Sequence, residues 1–165
     1  MYQDQRVGVL VDIQNLYYSA KALYKKKVSF GNILTESVGN RKLIRAIAYG
    51  IATLEGAEGK FFDALAKSGY EVKTKDLQIF PDGSKKADWD VGIAVDAIKL
   101  AKSLDVIILV SGDGDYVPLI EYLQNTTGCR VEVVAFKEST SAKLIEAADD
   151  FMNLSDNKRK FLIAR

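Results

Sequence analysis

Histidine is absent from all 165 residues, which excludes His-based triads, His general bases and the usual zinc sites. A bound metal would have to rely on oxygen ligands, and that points to Mg²⁺ or Mn²⁺. The single cysteine, Cys129, permits no internal disulfide and fits a reducing compartment. It reads as a small hydrophobe at the start of a strand. No apolar run approaches the ~20 residues of a membrane span, and the first six residues lack a signal-peptide pattern, so a cytoplasmic location with no membrane partner is expected. Neither charge sign is in surplus: 23 basic and 22 acidic residues leave +1, so nucleic acid would have to be recognised by a local patch rather than by the global field. Without a GxGxxG or GxxxxGK[ST] pattern, dinucleotide and P-loop readings have no anchor.

What is present is organised around Asp105-Val-Ile-Ile-Leu-Val-Ser-Gly-Asp-Gly-Asp-Tyr-Val-Pro118. Val106 to Val110 is a β-branched run with no polar alternation, as in a strand covered on both faces of a parallel sheet. Gly112 and Gly114 permit tight backbone arrangements that a Cβ would hinder, and Pro118 suits the first turn of a helix beginning near Tyr116. Asp113 and Asp115 then stand at the carboxyl end of a strand, where open α/β sheets bind their ligands. A second apolar run, Val7 to Val11, ends in Asp12, and Asn15 falls where a helix carrying Leu16, Tyr17, Ala20 and Leu23 begins. As an N-cap, Asn15 would be ordinary.

Further along, Leu43 to Ile51 is too short for its period to separate strand from helix; its glycines and isoleucines favour a strand. A helix over 60–67 ends at Gly69, Tyr70 to Asp76 alternates as a strand, and Leu77 to Ala87, with Pro81-Asp-Gly83, predicts a hairpin or flap. In a helix over Asp90 to Ala101, Val91, Ala94, Val95, Ile98 and Ala101 share one face, with Asp90 at its margin and Asp96 pointing away. Strands over 106–111 and 130–136, helices over 116–125 and 139–147, and an edge strand at Phe151 to Leu154 complete residues 1–154, read as one domain. Residues 155–165, with Lys158-Arg-Lys160, read as a basic arm. Lys25 to Lys27 end the first helix, where the dipole favours cations. Tyr17, Tyr18 and Tyr24 offer a face for a homodimer. The alternation of strands and helices predicts a mostly parallel sheet with right-handed crossovers.

Acids therefore close three separate segments: Asp12, the Asp113–Asp115 pair, and Asp90 with Asp88 at a helix start. Carboxylates gathered within a few ångströms repel and raise one another's pKa unless a cation compensates. A divalent ion would make such a cluster tolerable and would stabilise charge at an attacked phosphorus. That chemistry needs no histidine, and it suits phosphodiester cleavage with a second Asp orienting water.

Val11-Asp-Ile-Gln-Asn15, Lys86-Ala-Asp-Trp-Asp-Val-Gly-Ile-Ala-Val-Asp96, Ser111-Gly-Asp-Gly-Asp-Tyr-Val-Pro118 and Val131-Glu-Val-Val-Ala-Phe136, in that order and spacing, resemble the NYN domains of the LabA/DUF88 type. The resemblance implies a PIN-like, Rossmann-like three-layer α/β/α sandwich whose five-stranded parallel core has the order 3-2-1-4-5, and a metal-dependent ribonuclease pocket. It implies Asp12, Asp90 and Asp113 as metal-binding acids, Asn15 and Asp115 as assisting groups, Ser111 at the pocket rim and Lys86 on a substrate phosphate. Asp88 and Asp96 also match the pattern. A domain that only binds RNA or regulates retains the same fold and motifs. A receiver-like phosphoacceptor built on Asp12, Ser111 and Lys137 is a third reading, but it leaves the Ser111–Asp115 loop without a role.

Overall fold

The structure is a computed structural model that describes residues 3–52, 58–83, 85–86 and 88–164, with the side chains of 85 and 86 outside the description. In chain order the strands are β1 (Arg6–Asp12), β2 (Lys27–Val28), β3 (Lys42–Ala52), β4 (Glu71–Asp76), β5 (Gln78–Ile79), β6 (Lys85–Lys86), β7 (Val106–Val110), β8 (Arg130–Ala135), β9 (Asp150–Asn153) and β10 (Leu162–Ile163). The helices are α1 (Ile13–Tyr24), α2 (Phe30–Val38), α3 (Gly59–Lys67), α4 (Asp90–Ala101), α5 (Val117–Tyr122), α6 (Ala142–Ala147) and α7 (Lys158–Phe161).

Six strands form the central sheet in the order β4-β3-β1-β7-β8-β9, and every pairing within it is parallel. The run β4-β3-β1-β7-β8 follows the expected 3-2-1-4-5 order, and β9 adds a sixth strand at the β8 edge. Because side chains alternate across a strand, each strand feeds two cores. Val7, Val9, Val11, Val106, Ile108 and Val110 pack on α1, α2 and α7 through Leu16, Ala20, Ile33 and Phe161. Leu10, Ile107 and Leu109 pack on the opposite layer through Ile93, Ala97, Ala101, Leu119, Ile120 and Leu144. All five residues of β7 are buried, as its unbroken apolar run required.

The chain leaves β1 toward β3 on one side and returns to β7 on the other, so the switch point lies between β1 and β7. Those strands are in register, with Val11 opposite Val110. Asp12 and Ser111 therefore emerge side by side.

Two expectations are corrected. The buried side of α4 is Ile93, Ala97 and Ala101, whereas Val91 is 75% exposed and Val95 and Ile98 also face outward. Apolar residues on both sides of this helix leave its inward face ambiguous, and the small ones, Ala97 and Ala101, fit the close approach to the sheet. The segment from Ser155 onward is not a free arm. β10 pairs antiparallel with β2, Phe161 and Leu162 are buried, and the Ser29 N–H donates to the Phe161 carbonyl at 2.8 Å. Burying one large apolar side chain is worth ~1.5–3 kcal/mol, which outweighs the solvation of three neighbouring basic residues whose heads stay wet. The expected hairpin is present as β5 paired with β6; Ser84 and Ala87 within it lie outside the described residues.

Candidate metal centre

Asp12 ends β1 and caps α1: its Oδ1 accepts the Asn15 N–H at 3.3 Å. The cap is thus Asp12 rather than Asn15. Released from that duty, the Asn15 side chain reaches across to the β7 loop, where its Oδ1 accepts the buried Gly112 N–H at 2.9 Å. On the same loop Asp113 Oδ1 accepts the Asp115 N–H at 2.9 Å, an Asx turn that begins a short 3₁₀ segment. Asp90 arrives at the first turn of α4, where the dipole favours an acid, and its N–H donates to Asp88 Oδ1 at 3.3 Å.

These elements bring one carboxylate oxygen each from Asp90, Asp113 and Asp115 within 4.8 Å of one another. Asp12 lies one layer deeper, 8% exposed. The hydroxyl of buried Tyr116 stands between the layers, 3.2 Å from Asp90 Oδ1 and 3.4 Å from Asp12 Oδ2. Ser111 Oγ donates to Asp12 Oδ2 at 3.4 Å and accepts the Asp113 N–H at 3.2 Å. Ser111 is wholly buried, so it lies beneath the hollow and not at its rim. A hollow of about 450 Å³ above the cluster is lined by Asp12, Asp88, Asp90, Asp113, Asn15 and Ser19, with Gln14 and Tyr18 at one side.

The electrostatics follow from this crowding. Burial lifts the Asp12 carboxyl to about 6, with Asp90 and Asp113 adding to the rise against the hydrogen bonds that lower it. The Asp90 carboxyl is likewise raised, by burial first and by Asp113 next. Among the described residues no lysine or arginine is ion-paired with Asp12, Asp88, Asp90, Asp113 or Asp115. Uncompensated, closely spaced oxygen donors of this kind fit a divalent cation in composition and in charge.

Of the residues expected from the sequence, Asp12, Asn15, Asp90, Asp113, Asp115 and Asp88 meet here. The Lys86 side chain lies outside the described residues. Asp96 stays out of the hollow and is not turned away from the fold; its Oδ2 accepts Tyr49 Oη and Lys73 Nζ, each at 2.8 Å. Trp89 is a packing anchor, tilted on Tyr49 at 5.1 Å and donating to the Gly50 carbonyl. Tyr24 is half-buried, and its hydroxyl is hydrogen-bonded to Glu138 and Ser155. Sequence reasoning placed Tyr116 only at a helix start and Tyr18 only on a dimer face, and assigned Gln14 no role; the place of Tyr116 directly after Asp115 is the one signal that could have brought it into the site.

The glycines of this loop are needed for space. A Cβ on Gly112 would lie 3.0 Å from the Ser139 carbonyl oxygen and 3.1 Å from Thr140 Cα, and one on Gly114 would lie 2.8 Å from Ser141 Oγ. The 139–141 segment presses on the loop and also donates the Ser141 N–H to the Gly112 carbonyl.

Comparison with known proteins places this arrangement in context. The chain is 28% identical to the Low amplitude and bright protein LabA of Synechococcus elongatus over 165 residues, covering 94% of this chain and 87% of LabA. It superposes with a TM-score of 0.89 on the crystal structure of a protein of unknown function from Vibrio parahaemolyticus, at 35% identity and 99% coverage of both chains. Residues 6–155 match the NYN domain: the chain belongs to the NYN domain family.

Proposed function

We propose that this NYN domain is a Mg²⁺- or Mn²⁺-dependent ribonuclease of the cytoplasm that hydrolyses RNA phosphodiester bonds. The observation that carries the reading is the convergence of Asp90, Asp113 and Asp115 over a buried Asp12, with no cation among the described residues to balance them. Asp90 and Asp113 hold the ion, and Asp12 reinforces them from below through the Tyr116 hydroxyl. A divalent cation bound there neutralises the charge that builds on an attacked phosphorus. Asp115, exposed where Asp90 and Asp113 are half-buried, orients the attacking water and receives its proton. Asn15 and Ser111 act by position, tying the acidic loop to β1 and α1, and Lys86 meets a substrate phosphate.

Purified protein incubated with labelled RNA and Mn²⁺ tests this. Cleavage that stops on chelation and is lost in Asp113→Asn is the expected result. Equal cleavage by both proteins would place the activity elsewhere. Salt-dependent RNA binding with no cleavage and no metal requirement would instead select the binding-only role, for which exposed Lys25 to Lys27 provide the cations.

A further inference from the structure

Beside the acidic hollow lies a second, larger cavity of about 720 Å³, roofed by α1 and α3 and floored by β2 and the start of α2. Its exposed walls are aromatic. Tyr17 is 42% exposed, Tyr18 57% and Phe61 37%, and Tyr17 and Tyr18 meet edge to face at 5.3 Å. Gln14 and Tyr18 line both this cavity and the acidic hollow, so the two adjoin. Lys27 and Glu58 are among its lining residues, and Lys21, beside the cavity, holds its Nζ 6.0 Å from the Tyr17 ring. Positive charge and flat apolar surface thus lie together immediately beside a site that is itself anionic.

We infer that this cavity is a nucleobase-binding subsite, in which Tyr17, Tyr18 and Phe61 stack unpaired bases of the RNA strand whose phosphate is attacked over Asp90, Asp113 and Asp115. The inference rests on the ribonuclease reading for the second half of that statement only. Exposed rings with adjacent lysines are the two components that single-stranded nucleic acid uses, one for the base and one for the backbone. The acidic hollow alone repels a polyanion, so a strand needs an anchor next to it, and Lys21 and Lys27 supply it. Bases in a duplex are paired and stacked and cannot enter a cavity; the subsite therefore selects unpaired RNA. A protein face would complement the apolar walls but would gain nothing from adjoining the acids.

The test uses Asp113→Asn protein, which binds without cutting, and an oligoribonucleotide of about eight nucleotides carrying 2-aminopurine, within the usual site sizes for single strands. Single-stranded RNA binds at least ~10-fold more tightly than the same sequence as a duplex, and its fluorescence is quenched by stacking. Adding Tyr17→Ala and Tyr18→Ala weakens binding by ~10–100-fold and removes the quenching, as loss of one or two base stacks does. Tyr18→Trp, which keeps a stacking surface, restores both, and Lys27→Glu lowers affinity and flattens its salt dependence. Tyrosine variants that bind like their parent while otherwise wild-type protein still cleaves RNA overturn the subsite and leave the ribonuclease reading intact. Tyrosine-dependent binding by a protein that never cleaves does the reverse. A concentration-dependent dimer that the tyrosine variants dissolve, with RNA affinity unchanged, would assign the cavity to a second copy of the chain and overturn the inference.

Discussion

Asn15 and Gly112 are 97 residues apart in sequence, yet the Asn15 amide oxygen accepts the Gly112 N–H at 2.9 Å. This bond fastens the start of α1 to the loop that carries Asp113 and Asp115. Gly112 is buried, so Asn15→Ala leaves its N–H without a partner, at a cost of ~1–3 kcal/mol. Urea unfolding should show that loss of stability. Manganese titration should show a weaker site as well, because the loop then keeps its ties to Asp12 through Ser111 and Tyr116 but loses its tie to α1. Stability lost with Mn²⁺ affinity unchanged would mean that the acids are positioned independently of Asn15.

A related expectation concerns Tyr116, whose one hydroxyl proton faces two carboxylates. A phenol donates to only one acceptor at a time, so Asp12 and Asp90 share it. Burial first, and then the charges of Asp12 and Asp90, hold the phenol itself protonated far above the ordinary tyrosine range. Tyr116→Phe keeps the ring in the core and removes this bridge. The two carboxylates then repel without mediation, Asp12 takes up its proton at a higher pH, and Mn²⁺ affinity falls several-fold at pH 6 and less at pH 8. Calorimetric titration at the two pH values measures the difference; equal losses at both would assign Tyr116 a packing role only.

How much of this was legible beforehand depended on whether a signal was local. The five core strands, the limits of α4 and the placing of Asp12, Asp113 and Asp115 at strand ends all follow from short runs of residues, and they stand where the sequence put them. The face of α4 did not, because Val91, Val95 and Ile98 form as good an apolar stripe as Ile93, Ala97 and Ala101. Only the fit against the sheet decides between them. The Asn15–Gly112 bond, the shared Tyr116 hydroxyl and the docking of Phe161 are long-range pairings, and no period or motif in a single sequence encodes who meets whom. Tyrosines 17 and 18 were visible as a face for a homodimer, but their neighbourhood with the acids depends on how α1 leaves β1.

Space, not backbone freedom, explains the acidic loop's two glycines. A Cβ on Gly112 would press on backbone atoms of Ser139 and Thr140, which cannot move aside without displacing the segment. Gly112→Ala should therefore destabilise by ~1–3 kcal/mol, in the range for overpacking. Gly114→Ala meets only the Ser141 side chain, and Gly114→Ala combined with Ser141→Gly should regain most of what it loses. Thermal unfolding of the three variants checks the order; a Gly114→Ala loss that the second substitution leaves untouched would show that the conflict lies in the backbone.

The buried acid gives the metal-free protein an unusual pH dependence. Asp12 titrates at about 6 in the fold against 3.8 in the unfolded chain. Between these values the folded state binds more protons, so stability is greatest at the acid end of this window and falls as pH rises through it. The full span corresponds to ~3 kcal/mol. The raised Asp90 acts in the same sense. Glu71, Asp96, Asp105, Glu132 and Glu138 are held below their ordinary range; the stability they contribute is lost as pH falls through their ordinary values of 4.5 for glutamate and 3.8 for aspartate, so they oppose Asp12 at the acid end of the window and little between pH 5 and 7.5. Chemical denaturation in chelator should thus give a higher unfolding free energy at pH 5 than at pH 7.5. Asp12→Asn, which retains an oxygen to cap α1, should flatten that slope and be the more stable protein at pH 7.5. Saturating Mn²⁺ should stabilise the native chain more at the higher pH, where Asp12 is ionised, and stabilise Asp12→Asn less and with a weaker pH dependence. A native protein whose metal-free stability rises between pH 5 and 7.5 would contradict the burial of an uncompensated Asp12.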